Sequence, residues 1–250
     1  MDNIVARAMD VDFIYFDLTM VTLWIVFLIK QKRYRQLLFG FFGFLIVFST
    51  DDLLWYHLKG TRHIEAPIQP DLFLLYFSFT YGMIMFSFAP LMFDANISKR
   101  EKISWACGMY FGWLAIALLS QWIPIDDRII SIYRDMQNSR LTQILMVIGG
   151  YALLLILRLL KWKPMEKIDW KYFLFLFAVG IFIHFSMEST LLIAGIRPLK
   201  WDVLVFDSLV EFNSGIPYLF MAWSILEYLQ HKKVPAEVKD KSLAESLPTK

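Results

Sequence analysis

The chain has 250 residues, of which 58% are hydrophobic, 17% aromatic and only 19% charged, and its mean hydropathy is +0.50. The large apolar residues come in long blocks, which argues against a soluble domain and predicts an all-α, polytopic membrane protein. The net charge of +2 says little, because the charges are sorted by segment, and the single cysteine, Cys107, leaves no intramolecular disulfide and argues against a thiolate metal cluster.

In chain order, seven apolar runs are near 12–30, 37–57, 71–93, 103–124, 141–160, 171–195 and 203–229. Each is long enough for a spanning helix, which needs roughly 20 mostly apolar residues. The first run has no small-residue cleavage site and reads as a retained helix. Residues 1–230 therefore form one seven-helix bundle, and the polar stretch 231–250 reads as a disordered cytoplasmic tail.

Basic residues set the orientation. The first connection carries Lys30, Lys32, Arg33 and Arg35, and the third Lys99, Arg100 and Lys102. The fifth adds Arg158, Lys161, Lys163 and Lys171, and the tail adds Lys232 and Lys233. These connections lie on one side, which the positive-inside rule makes cytoplasmic. The opposite connections are leaner in positive charge or balanced by acids, as in "DDRIISIYRDMQNSR". The N-terminus is expected outside and the C-terminus inside.

Ionisable residues inside apolar runs are the sharpest signal, because each costs about 2.5–3.5 kcal/mol if it faces lipid. The stretch "HFSMEST" puts His184 and Glu188 four residues apart, on one helical face. Asp17, Asp51, Asp52, Asp207 and Glu211 join them on other helices. With a rise of 1.5 Å per residue, Asp52, Glu188, Asp207 and Glu211 all come within about 6–12 Å of the same, outer end of the bundle. Of the adjacent pair, Asp52 is expected to face inward, since at helical spacing it aligns with Phe48 and Tyr56.

Asp207, Glu211 and Ser214 share a face in the last run, and Pro217 should open that helix by clashing with the carbonyl of Asn213. The expected chamber thus holds Asp52, Glu188, Asp207, Glu211 and His184 as acid/base groups. Trp55, Tyr56, Tyr81, Asn213 and Tyr218 are its expected substrate-binding wall. His57 and His63 read as interfacial, and Asp71 as a loop charge.

No lysine lies within the last run, which argues against retinal attachment, and no HxxxH, HExxH or CxxC appears. No metal and no cofactor is expected, and no nucleic acid partner. The expected partners are membrane lipids and a lipophilic small molecule.

With its short loops and its acids in the second and last helices, the chain resembles the seven-helix integral-membrane terpene cyclases. In that family the acids protonate an epoxide or olefin and start ring closure. The positions that correspond are Asp52 in "DLLWY" and Asp207 in "FDSLVEF". The family's second-helix signature is Trp-Glu followed shortly by Tyr, whereas here the acid is Asp and Trp55 follows it. The resemblance implies carboxylate acid/base chemistry, a cyclisation or isomerisation, on an isoprenoid-like substrate. Two other readings stay open. One is a proton- or cation-coupled transporter or ligand-binding protein, and the other a structural protein whose polar residues only lock helices together.

Overall fold

The computed structural model describes residues 4–136, 139–165, 168–201 and 203–245. The chain is mostly helical, with strand β1 (Ile4–Asp10) followed by α1 (Asp12–Lys30) and α2 (Tyr34–Phe48). A π-helical segment (Ser49–Leu58) continues α2, and β2 (Arg62–Glu65), α3 (Pro70–Phe93), α4 (Lys99–Trp122) and β3 (Ile129–Asp135) come next. Then follow α5 (Ser139–Leu159) and α6 (Trp170–Ile193). Six helices among the described residues are long and apolar enough to cross a membrane.

The last apolar run differs in form from these six. A π-helical turn (Val203–Asp207), a short α7 (Ser208–Val210) and a 3-10 turn (Phe212–Ser214) lead into α8 (Ile216–Glu245). Pro217 has no backbone N–H and its ring opposes the carbonyl four residues back, so the chain stops being helical just before it. α8 stays helical to Glu245, through most of the stretch 231–250 in which the sequence suggests disorder.

α3 lies at the centre and is buried along most of its length, from Phe73 to Phe93. It sits closely against α2 at paired glycines: a Cβ on Gly43 would run into Phe86, and one on Gly82 into the backbone of Phe44. Small residues let helices approach in this way where lipid gives no hydrophobic drive to associate. The same device recurs at Gly180, where an added Cβ would strike the Asn213 side chain.

The segment before α1 and two of the connections pair at one end of the bundle as an antiparallel sheet in the order β1-β3-β2, which no sequence pattern led us to expect. Side chains alternate across a strand. Val5, Arg7 and Met9 on β1 therefore share the inner face with Ile130, Ile132 and Arg134 on β3, and with Arg62 and Ile64 on β2. On the outer face His63 stacks on Tyr133 at 4.8 Å. The amide of Ala8 donates to the carbonyl of Ile196 at 3.0 Å, which ties the loop after α6 to the edge of the sheet.

Candidate functional site

The inner face of the sheet closes a cavity of about 210 Å³ at this end of the bundle. Arg7, Arg62 and Arg134 reach it from β1, β2 and β3, and Arg197 from the loop after α6. Asp51, His184, Glu188 and Glu211 reach it from the π-helical segment, α6 and the turn before α8. Phe77, Tyr81, Trp55 and Phe212 supply much of the apolar wall.

The strand register makes this arrangement costly unless something answers it. Arg62 and Arg134 sit directly opposite one another across β2 and β3, and like charges in that position repel. Each finds an acid. Arg62 Nη1 is 2.7 Å from Asp51 Oδ2, and Arg134 Nη2 donates to Glu211 Oε1 at 2.8 Å. Arg197 Nη2 donates to Glu188 Oε1 at 2.9 Å, and its Nε lies 2.7 Å from Oε2 as an ion-pair contact without hydrogen-bond geometry.

Arg7 is different. Its side chain is buried, and its Nη1 donates to the Tyr81 hydroxyl at 3.3 Å. Its guanidinium lies 4.6 Å from the centre of the Phe77 ring, whose other guanidinium neighbour, Arg62, is at 5.0 Å. No carboxylate pairs with it among the described residues. Among the described residues, four guanidinium groups thus line this cavity against three carboxylates, and the buried Asp17, outside the lining, also acts on Arg7 through its charge.

This crowding marks the cations themselves. Burial pushes the Arg62 guanidinium down to about 10, with Arg134 and Arg7 adding to the effect and Asp51 opposing it. Burial also lowers Arg197, with Glu188 opposing and Arg7 adding. Arg134 is buried too, but Glu211 and Asp51 outweigh the desolvation and raise it. Arg134 lies 4.1 Å over the Trp55 ring as well. At about 10, Arg62 remains protonated near neutral pH.

His184 Nε2 lies 3.5 Å from Glu188 Oε1 and 3.4 Å from Glu211 Oε2, near both carboxylates and hydrogen-bonded to neither. The wall is not wholly interior. Ile46, on the surface of α2, is 52% exposed and lines the same cavity, beside Val47 and Thr50. The chamber therefore extends from a charged interior to the outer surface of α2.

Of the residues expected to form the site, Glu188, Glu211, His184, Trp55 and Tyr81 line this chamber. Asp207 does not. It is buried beside Arg140, at 3.5 Å. Asn213 is fully engaged as a strap, accepting from Tyr151 at 3.1 Å and donating to the carbonyls of Phe177 and Leu209 at 3.2 and 3.0 Å. Tyr218 is partly exposed and donates to the Met146 carbonyl at 3.2 Å. Tyr56 packs edge-on against His57.

The adjacent aspartates divide in the opposite sense to the one expected. Asp51 lines the chamber, and Asp52 turns toward His57 instead. The expectation counted on from α2 at α-helical spacing, and the π-helical segment turns less per residue, so the directions of Asp51 and Asp52 are displaced from that count. The four arginines were missed because they stand outside the long helices, where a basic residue is unremarkable. The available signal was the need of several buried acids for cationic partners.

Comparison with protein-family models, with curated proteins and with solved structures finds no match to this chain.

Proposed function

We propose that this chain is a seven-span membrane protein, N-terminus outside, whose chamber binds the oxyanion headgroup of an amphiphile. The six continuous apolar helices and the broken run before α8 support that count. The basic connections at the end opposite the sheet support the sidedness. The observation that carries the binding reading is the buried Arg7, which makes no ion pair among the described residues, beside three other arginines. A buried charge left unpaired is strongly unfavourable. An arriving phosphate or carboxylate supplies the missing partner, and guanidinium forks match either group.

Size decides which part of the ligand enters. At about 30 Å³ per water, 210 Å³ is the space of about seven waters. A headgroup fits, and a long hydrocarbon chain does not. The tail would pass beside Ile46 and Val47 into lipid, which suits an amphiphile and not a free ion.

The test is binding of a short-chain phosphate-headed lipid to the purified protein in detergent, with a carboxylate-headed and a quaternary-ammonium analogue as further arms. The expected result is saturable binding of one or both anionic heads and none of the cationic one. A hydrogen bond to a charged group contributes about 1.5–3 kcal/mol, so Arg7→Met should weaken binding by about 10- to 150-fold. Equal binding of the cationic analogue, or an unchanged affinity in Arg7→Met, would overturn the reading.

A second reading rests on His184. Its ring stands between two carboxylates in the same chamber, an arrangement suited to moving a proton on a bound lipophilic substrate, as in a cyclisation or isomerisation. It predicts product formation from polyprenyl substrates that is lost in His184→Gln. Anion binding without turnover leaves only the first reading.

A further inference from the structure

Asp52, turned away from the chamber, meets His57 and Asp71. One ligand atom from each of the three lies within 4.8 Å of the other two. His57 Nε2 is 3.0 Å from Asp71 Oδ1 and 3.7 Å from Asp52 Oδ1. In an α-helix, residues five apart point about 140° away from one another. Here they converge, because the looser winding of Ser49–Leu58 brings residue i and residue i+5 toward one side. Asp71, in the first turn of α3, completes the group from the neighbouring helix.

A surface pair of histidine and aspartate is ordinary by itself. Asp52 makes this group unusual. Its side chain is only 6% exposed, and its Oδ1, the atom aimed at His57, has no hydrogen-bond partner among the described residues. Asp51, the nearest other acid in the chain, is committed to Arg62 at 2.7 Å and does not compete. The half-exposed His57 and Asp71 leave the group open to solvent.

We propose that Asp52, His57 and Asp71 hold a divalent transition metal of the zinc class where the second and third spans meet, at the rim beside the sheet. Two carboxylates and a neutral imidazole carry two negative charges, which match a dication. Imidazole selects for the zinc class over magnesium or calcium. Ligands bonded at about 2.0 Å in tetrahedral geometry stand about 3.3 Å apart. The two measured separations bracket that value, and the half-exposed Asp71 side chain is free to close the remaining distance. Three protein ligands leave a fourth position open. The site is separate from the anion chamber and does not depend on it.

Titration of the purified full chain, prepared without a polyhistidine tag, with Zn²⁺ and with Co²⁺ tests this. The expected result is one ion per chain, with the visible d–d absorption of histidine- and carboxylate-bound Co²⁺. His57→Gln and Asp71→Asn, both half-exposed and so tolerant of change, should each raise the Kd at least tenfold and abolish the absorption. Asp52→Asn should do the same while leaving the elution profile and the unfolding midpoint in detergent unchanged, which serves as its folding check. No stoichiometric binding to the wild-type protein, or absorption that survives His57→Gln and Asp71→Asn, would overturn the proposal.

Discussion

The two ends of the bundle handle buried charge in opposite ways. At the end away from the sheet, Arg33 donates to both oxygens of Glu101, at 2.7 and 2.9 Å, and lies 3.8 Å from Asp94. Gln36 and the amide of Asn96 close on Asp94 at 3.0 and 2.8 Å, and Lys102 caps the Met92 carbonyl at 2.6 Å. Two cations meet two anions and the network is closed. Under the sheet, four arginines meet three carboxylates and a histidine nitrogen is left unbonded. A closed network locks helices, whereas one with a cation outside any ion pair can receive a partner. That difference is what places the proposed site at the sheet end.

The largest expected break is at Glu188. Glu188→Gln leaves Arg197 buried without its anion and should cost about 3–5 kcal/mol, read as a lower unfolding midpoint in detergent. Removing the guanidinium too, in Glu188→Gln with Arg197→Met, should restore much of the loss. A double variant no more stable than Glu188→Gln would show that the pair acts through something other than charge. At the opposite end, Arg33 and Glu101 are partly exposed, at 22% and 26%. Arg33→Ala should therefore cost only about 1 kcal/mol and leave anion affinity unchanged. An affinity loss there would erase the contrast between the ends.

The smallest and sharpest effect is that of pH. Arg62 is charged until the pH rises through about 10, so anion affinity should be flat from neutral pH upward and fall across that value. The contribution of Arg62 to stability runs the other way. Its folded-state value lies below the usual one for arginine, so above about pH 10 the unfolded chain binds the extra proton and stability rises with pH. Affinity measured in parallel with unfolding should show the two trends diverge. A fall in affinity centred near neutrality would instead assign control to another group.

The long apolar helices were legible because apolar runs announce themselves: α1 begins and ends where the hydropathy does, at Asp12 and Lys30. Acids inside those runs were equally conspicuous, and three of the five residues expected as acid/base groups do meet. The sheet was not legible. Its strands have seven, four and seven residues, and their inward faces carry Arg7, Arg62 and Arg134, so the usual apolar alternation is interrupted at the very positions that matter. "DDRIISIYRD" reads as a balanced polar loop until β1 and β2 are laid against it. The π-helical winding was equally hidden, and it shifts the directions in which Asp51 and Asp52 point.

The strand order also imposes a timetable on synthesis. β3 is the middle strand, yet about 120 residues are translated after β1 before it exists, about 6–24 s at ribosomal speeds. Until then the first two strands have no common partner, and Arg7 and Arg62 wait without the strand that sets them over the cavity. The sheet end is consequently late to mature, and a nascent chain halted after the fourth helix should carry its first four helices but neither the sheet nor the cavity beneath it.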